Sequence, residues 1–158
     1  MRPSLRTGFS FGLTSGIITT LGLMVGLHAS THSRAVVIGG ILTIAVADAF
    51  SDALGIHVSQ ESQDKLSRRH IWEATLAAFL SKFIIALTFI LPVIYFGLLQ
   101  AIIISVLWGL SLLSVLSYLI ARKRQPDPWK VVLEHLVIAL LVIVITRFIG
   151  DWIADVFV

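Results

Sequence analysis

Three ionisable side chains lie within segments that are otherwise apolar enough to cross a membrane. Asp48 and Asp52 are four residues apart, and Lys82 stands in the next apolar segment. A carboxylate near the centre of a bilayer costs roughly 2.5 to 3.5 kcal/mol, so it needs a partner, a proton or a hydrated cavity. Carboxylate oxygens suit divalent cations, and one-turn spacing lets both groups reach one ion. This pattern favours an ion or proton pathway with Asp48 and Asp52 as the metal ligands.

The alternative is a structural ion pair in which Lys82 permanently neutralises the carboxylates. Ser15, Asp48 and Lys82 are each about seven to nine residues from the predicted inner end of their segment, and a rise of 1.5 Å per residue places them at nearly one depth. Lys82 is therefore expected to act as a charge partner of the carboxylates or as a surrogate ion, that is, to neutralise them when no metal ion is bound. Both interpretations, an ion pathway and a purely structural pair, stay open at the level of sequence.

The first apolar segment carries a face of small and hydroxylated residues. At 100° per residue, six of them fall within an arc of roughly 80°: Gly8, Gly12, Ser15, Thr19, Gly22 and Gly26. Such a face is typical of close helix packing. We also expect Ser15 and Thr19, with Ser51 of the second segment, to line a polar transport path.

Five apolar segments must position these groups. Of the 158 residues, 57% are hydrophobic and 13% are charged, which excludes an ordinary soluble domain, a disordered tail and a nucleic-acid-binding protein. Alternation of apolar and polar residues, as in a membrane β-barrel, is missing. The sequence predicts an all-α membrane bundle in a single domain, residues 1–158, with spans at about 8–27, 35–56, 73–97, 101–121 and 131–150.

The distribution of Lys and Arg predicts the orientation of the bundle. If the N-terminus is cytoplasmic, the outer loops contain only Arg34. The inner side then holds Arg2, Arg6, Lys65, Arg68, Arg69, Arg122, Lys123, Arg124 and Lys130. Because cytoplasmic loops are rich in basic residues, we expect the N-terminus inside and the C-terminus outside. The net charge of +3 then reflects topology and not an attraction to nucleic acid.

Several local features carry smaller predictions. Pro92 is expected to kink the third span, and Arg147 is expected to pair with Asp151 one turn away. Segment 57–72 is too polar to span and is expected to prolong the second helix before the chain turns. Four histidines lie at span boundaries or in loops and are expected to be solvated, although any of them could ligate a metal weakly: His28, His32, His57 and His70.

The sequence shows no pattern typical of an enzyme. It has no cysteine, and so no thiolate metal cage or thiol nucleophile. Phosphate-binding glycine loops, zinc-protease helices and nucleophile elbows are missing as well. We therefore expect a protein that is not an enzyme and that has no resident cofactor.

Two runs of the sequence resemble a known family. The run FGLTSGIITT at 11–20, followed by Gly22 and Gly26, resembles the opening signature Gly-x-x-Asp-Gly-x-x-Thr-Thr of the vacuolar iron transporter family. The run AFSDALGIHVS at 49–59 resembles that family's Ala-x-Ser-Met-x-x-Gly-Glu-Tyr-x-Ser. Weaker similarity covers the rest of the chain, at 77–81, Pro92, 129–134 and Gly150.

The resemblance implies five helices with the N-terminus inside, assembled as a homodimer whose first helices line the pathway. It implies proton-coupled export of ferrous or similar divalent ions from the cytoplasm. We therefore expect a multi-pass protein of a prokaryotic plasma membrane, with the lipid bilayer, a divalent cation and a second copy of the chain as its partners.

The chain departs from the family pattern at the positions expected to handle the ion. Ser15 stands where the family has Asp, Asp52 where it has Met, and Ile56 where it has Glu. Only residues 57–72 replace a long cytoplasmic metal-binding segment. Losing a thioether and gaining a carboxylate predicts a preference for harder ions such as manganese, or for protons alone. The alternatives are a non-transporting membrane protein with a structural Asp–Lys network and a carrier of a different substrate.

Overall fold

The protein is described from a computed structural model, which covers residues 2–63, 66–122 and 127–157. Within these ranges the chain forms five long helices and no strand. They are α1 (Pro3–Thr31), α2 (Arg34–Glu61), α3 (Arg68–Tyr95), α4 (Leu98–Ala121) and α5 (Pro128–Phe157). At 1.5 Å per residue each is long enough to cross a hydrocarbon core of about 30 Å. The predicted all-α bundle with five membrane spans is confirmed.

Each helix is longer than the span predicted for it, because polar residues continue the helical backbone beyond the apolar run. The predicted spans lie inside the helices, except that the third ends at residue 97, two residues past Tyr95. As predicted, the second helix continues into segment 57–72, as far as Glu61. The new helix begins at Arg68 after Ser67, whose side chain accepts a hydrogen bond from the His70 N–H.

The structure leaves the orientation of the bundle as a prediction. Three of the basic residues on which that prediction rests, Lys65, Lys123 and Arg124, lie outside the described residues. Trp72, Trp129 and Trp152 are all exposed, as side chains at a membrane boundary would be.

Helix α1 is the centre of the bundle, and its small residues let two neighbours approach closely. A Cβ atom at Gly8 would lie 2.0 Å from the Ala74 carbonyl oxygen of α3. At Gly22 it would lie 2.7 Å from Val142 Cγ1 of α5. The face of small residues on α1 therefore packs against α3 along the first half of the helix and against α5 along the second half. The sequence pattern did not show which helices this face contacts.

Two helices contain irregular turns in the membrane. In α3 the regular helix is interrupted at Phe89, three residues before Pro92, which has no N–H to donate to the preceding turn. This irregular turn lies where Pro92 was expected to kink the span. In α2, residues Ile44–Asp48 form a π-helical turn, which the sequence did not indicate.

Candidate functional site

The side chain of Lys82 joins three helices at one point. Its Nζ atom lies 2.5 Å from Asp48 Oδ2 and 2.5 Å from Asp52 Oδ2. It donates a hydrogen bond to Ser15 Oγ at 2.9 Å, and the Ser15 hydroxyl in turn lies 2.5 Å from Asp52 Oδ2, to which it donates. We call Ser15, Asp48, Asp52 and Lys82 the Lys82 cluster.

The Lys82 cluster lies near the middle of the bundle. Asp48 is the fifteenth residue of the 28-residue α2, and Lys82 is the fifteenth residue of the 28-residue α3. Ser15 is the thirteenth of 29 residues in α1. Residues that were predicted to lie at one depth are thus in direct contact. The cluster lies where a bilayer is least able to solvate charge.

Local features of α1 and α2 make room for this arrangement. Gly16 faces the stem of Lys82, and a Cβ atom there would lie 3.2 Å from Lys82 Cγ and 2.5 Å from Ile85 Cγ2. Asp48 ends the π-helical turn, with the Ala49 N–H bonded back to the Ile44 carbonyl. From Asp48 onward the helix is regular, so Asp48 and Asp52 lie one turn apart and meet the same ammonium group.

The cluster is closed on the lysine side and partly open on the carboxylate side. Lys82 is 0% exposed, whereas the side chains of Asp48 and Asp52 are 35% and 20% exposed. The contacts to Lys82 use Oδ2, and among the described residues neither Oδ1 takes part in a hydrogen bond. With all groups ionised, two carboxylates around one ammonium carry a formal charge of −1. Such a site can accept a further cation or a proton.

The structure brings together some of the predicted site residues and not others. Thr19 contacts the cluster only indirectly, because its hydroxyl donates to the Ser15 carbonyl at 2.9 Å. Ser51 is exposed on α2 and makes no hydrogen bond to the cluster. In the described ranges no group of three or more His, Asp or Glu residues could hold a metal ion. Protein ligation at the cluster would therefore depend on Asp48 and Asp52, with Ser15 beside them.

A second charged cluster joins α1 to α3 at the beginning of both helices. Glu73 accepts hydrogen bonds from Ser4 Oγ at 2.7 Å and from Arg69 Nε at 2.9 Å, and it also pairs with Arg2. We call these four residues the Glu73 cluster. Sequence analysis missed it, although the four-residue spacing of Arg69 and Glu73 is typical of a helical ion pair.

Two further predictions have definite outcomes. Arg147 Nε lies 2.9 Å from Asp151 Oδ2, so the predicted pair is confirmed. His28 is only 8% exposed, so the expectation that it is solvated was wrong. Its ring is buried because α1 extends past the predicted end of the span and continues to pack against α5, where Gly150 approaches Gly26 and Ala29.

Comparison with known proteins identifies one family. The model of the VIT family matches residues 9–71, which comprise most of α1, all of α2 and the start of α3. This range contains Ser15, Asp48 and Asp52, whereas Lys82 lies beyond it. No curated protein matches the chain.

Proposed function

Because the chain belongs to the vacuolar iron transporter family, whose members carry metal ions across membranes, we propose that it exports a divalent cation from the cytoplasm in exchange for protons. The chain is an integral multi-pass membrane protein. The observation that carries the proposal is the Lys82 cluster, in which two carboxylates share one ammonium group at mid-depth. One cation, the ammonium group of Lys82, already lies between these carboxylates, and the carboxylates remain partly accessible.

In the proposed cycle, Lys82 occupies the cationic position when no metal is bound. A divalent ion that arrives from the cytoplasm at the open side of Asp48 and Asp52 repels the ammonium group, and Lys82 then releases its proton to the cytoplasm. The formal charge changes from −1 with the ammonium to 0 with a divalent ion and neutral lysine. Reprotonation of Lys82 from the outer side expels the ion outward, so one proton enters for each metal ion that leaves.

The ligand atoms favour a hard or borderline ion. Two carboxylates and the Ser15 hydroxyl offer oxygen only, and oxygen ligands suit Mn(II) better than the softer metals that thiolate or thioether ligands select. We propose an iron-like or manganese-like ion, with Mn(II) preferred. A second copy of the chain would cover the exposed side of Asp48, since a carboxylate facing lipid is costly. The mass of the purified protein in detergent, from light scattering, tests this dimer.

The proposal is tested with purified protein in vesicles that contain a pH-sensitive dye. Replacing both carboxylates, Asp48→Asn with Asp52→Asn, should abolish Mn(II)-dependent proton flux because no anionic ligand remains at the centre. Asp151→Asn is the matched control, since it removes a carboxylate that is paired near the end of α5, and it should transport normally. Unchanged flux in the double variant would reject the site.

The second candidate function is that of a membrane protein without transport activity. It is favoured by the complete burial of Lys82 and its contact with both carboxylates, since such a network could simply fix the packing of three helices. In that case neither Mn(II) nor Fe(II) would raise the thermal stability of the purified protein. The carrier predicts a higher unfolding temperature with bound metal.

A further inference from the structure

We propose that His28 and His32 form a second divalent-cation site, separate from the Lys82 cluster and suited to Zn(II) or Co(II). His28 lies in the last turn of α1, and His32 directly follows the last helical residue, Thr31, in the run HASTH. Four residues is also the spacing of the two histidines in helical zinc sites. Because His32 stands at the helix end, the distance between the two rings comes from the structure and not from the spacing alone. Imidazole nitrogen suits these ions well, whereas Mn(II) stands at the weak end of the divalent series.

The geometry of the two rings fits a shared ion. Their centroids are 5.2 Å apart with an angle of 60° between the ring planes. Two imidazoles bound to one tetrahedral ion through bonds of about 2.0 to 2.1 Å have centroids roughly 5 Å apart. The backbone holds this spacing, because the His32 N–H donates to the His28 carbonyl at 3.1 Å and His32 adopts a left-handed conformation with a φ of 50°.

Neither histidine is committed to another partner in the described part of the chain. His28 is 8% exposed, and its Nδ1 atom is buried without a hydrogen-bond partner. Buried polar atoms nearly always have a partner, so the ring is unusual. His32 is exposed at the surface. An ion could therefore bind without breaking an existing hydrogen bond of either ring, and water would complete its coordination.

The histidine pair is remote from the Lys82 cluster. Thirteen residues separate His28 from Ser15, or about 20 Å along α1, and at 100° per residue the two side chains point about 140° apart. The charged side chains of α5 that face His28 are Arg147 and Asp151, and they are paired with each other. Because the Asp151 carboxylate offsets part of the Arg147 charge, Arg147 does not by itself exclude a cation.

The test is a titration of tag-free protein in detergent with Zn(II), and with Co(II) to follow its absorption bands. The parent protein carries Asp48→Asn, Asp52→Asn and Lys82→Met, so that the central site cannot contribute and no unpaired charge is left buried there. It should bind one Zn(II) per chain. His28→Gln and His32→Asn should each weaken binding by roughly tenfold or more, because one of only two protein ligands is lost. Asn is chosen at position 32 because it tolerates the left-handed conformation.

His57→Gln is the matched control and should bind Zn(II) as the parent does. Equal binding by the parent and the His32→Asn variant would overturn the proposal, as would absence of binding to the parent. His32→Asn changes an exposed side chain, so it remains informative if His28→Gln fails to fold. The outcome is independent of the transport assay, since Zn(II) binding is measured where the central carboxylates are already removed.

Discussion

Two charged clusters connect α1 to α3, and they differ in depth and in charge balance. The Lys82 cluster surrounds one ammonium with two carboxylates at the middle of the bundle. The Glu73 cluster surrounds one carboxylate with two guanidinium groups at the beginning of the helices. Their formal charges are −1 and +1. Lys82 is sealed from solvent, whereas the side chains of Arg2 and Arg69 are mostly exposed.

The difference shows how similar contacts can serve different purposes. At the exposed end, water and salt screen the ion pairs, so they contribute little to stability. At mid-depth, water and salt screen charges only weakly. Removing one partner of an ion pair there leaves the other charge uncompensated. The excess negative charge at the centre fits the proposed cation site, while the excess positive charge at the end fits the predicted cytoplasmic side of the bundle.

The largest effect is expected from Lys82→Met. It leaves two carboxylates unpaired in the membrane, and breaking a buried ion pair costs about 3 to 5 kcal/mol. The thermal unfolding temperature of the purified protein should fall sharply, and Mn(II) should restore much of the loss. Arg69→Met, the equivalent change in the Glu73 cluster, should have little effect. Equal losses in the two variants would contradict the proposed contrast.

An intermediate effect is expected from Ser15→Ala. The hydroxyl accepts from Lys82 and donates to Asp52, and hydrogen bonds to charged groups contribute about 1.5 to 3 kcal/mol. Ser4→Ala is the control, because that serine is buried and also binds a carboxylate, but the carboxylate keeps two arginines. Chemical denaturation of both variants in the same detergent measures the difference. A larger decrease in the free energy of unfolding for Ser4→Ala than for Ser15→Ala would contradict the expectation that the Lys82 cluster contributes more to stability than the Glu73 cluster.

The smallest effect is expected from Glu73→Gln. The amide can still bond to Ser4, and the two arginines can turn to solvent, so the unfolding temperature should change little. The small decrease in unfolding temperature should be smaller still in high salt, because salt screens exposed ion pairs. Measuring both Glu73→Gln and Lys82→Met at low and high salt separates the two clusters, because the deficit of Lys82→Met should persist.

Sequence reasoning reached the fold and most of the central cluster. Apolar runs of sufficient length can only be helices in a bilayer, so the five spans followed from composition. Asp48, Asp52 and Lys82 stood out because charge is rare in such runs, and the rise per residue placed Ser15, Asp48 and Lys82 at nearly one depth. Ser15 was predicted as a path residue, and the structure adds that it bonds directly to Asp52 and Lys82.

Other features could not be obtained from one sequence. The π-helical turn before Asp48 depends on how α2 packs and has no residue signature in IAVAD. Ser51 was assigned to the path from its position on α2, yet the neighbouring helices do not cover it. The burial of His28 depends on where α5 crosses α1, which is a tertiary contact.

The extra residue in the π-helical turn changes the rotational phase between the two parts of α2 by about 100°. In an uninterrupted α-helix with Asp48 and Asp52 held at Lys82, the side chains of Arg34–Thr43 would point about 100° away from their present directions. Val37 and Ile41, which are fully buried in this part of the helix, would then turn away from their neighbours. The turn therefore lets one helix bury the apolar side chains of its first part and also present two carboxylates to the ammonium group.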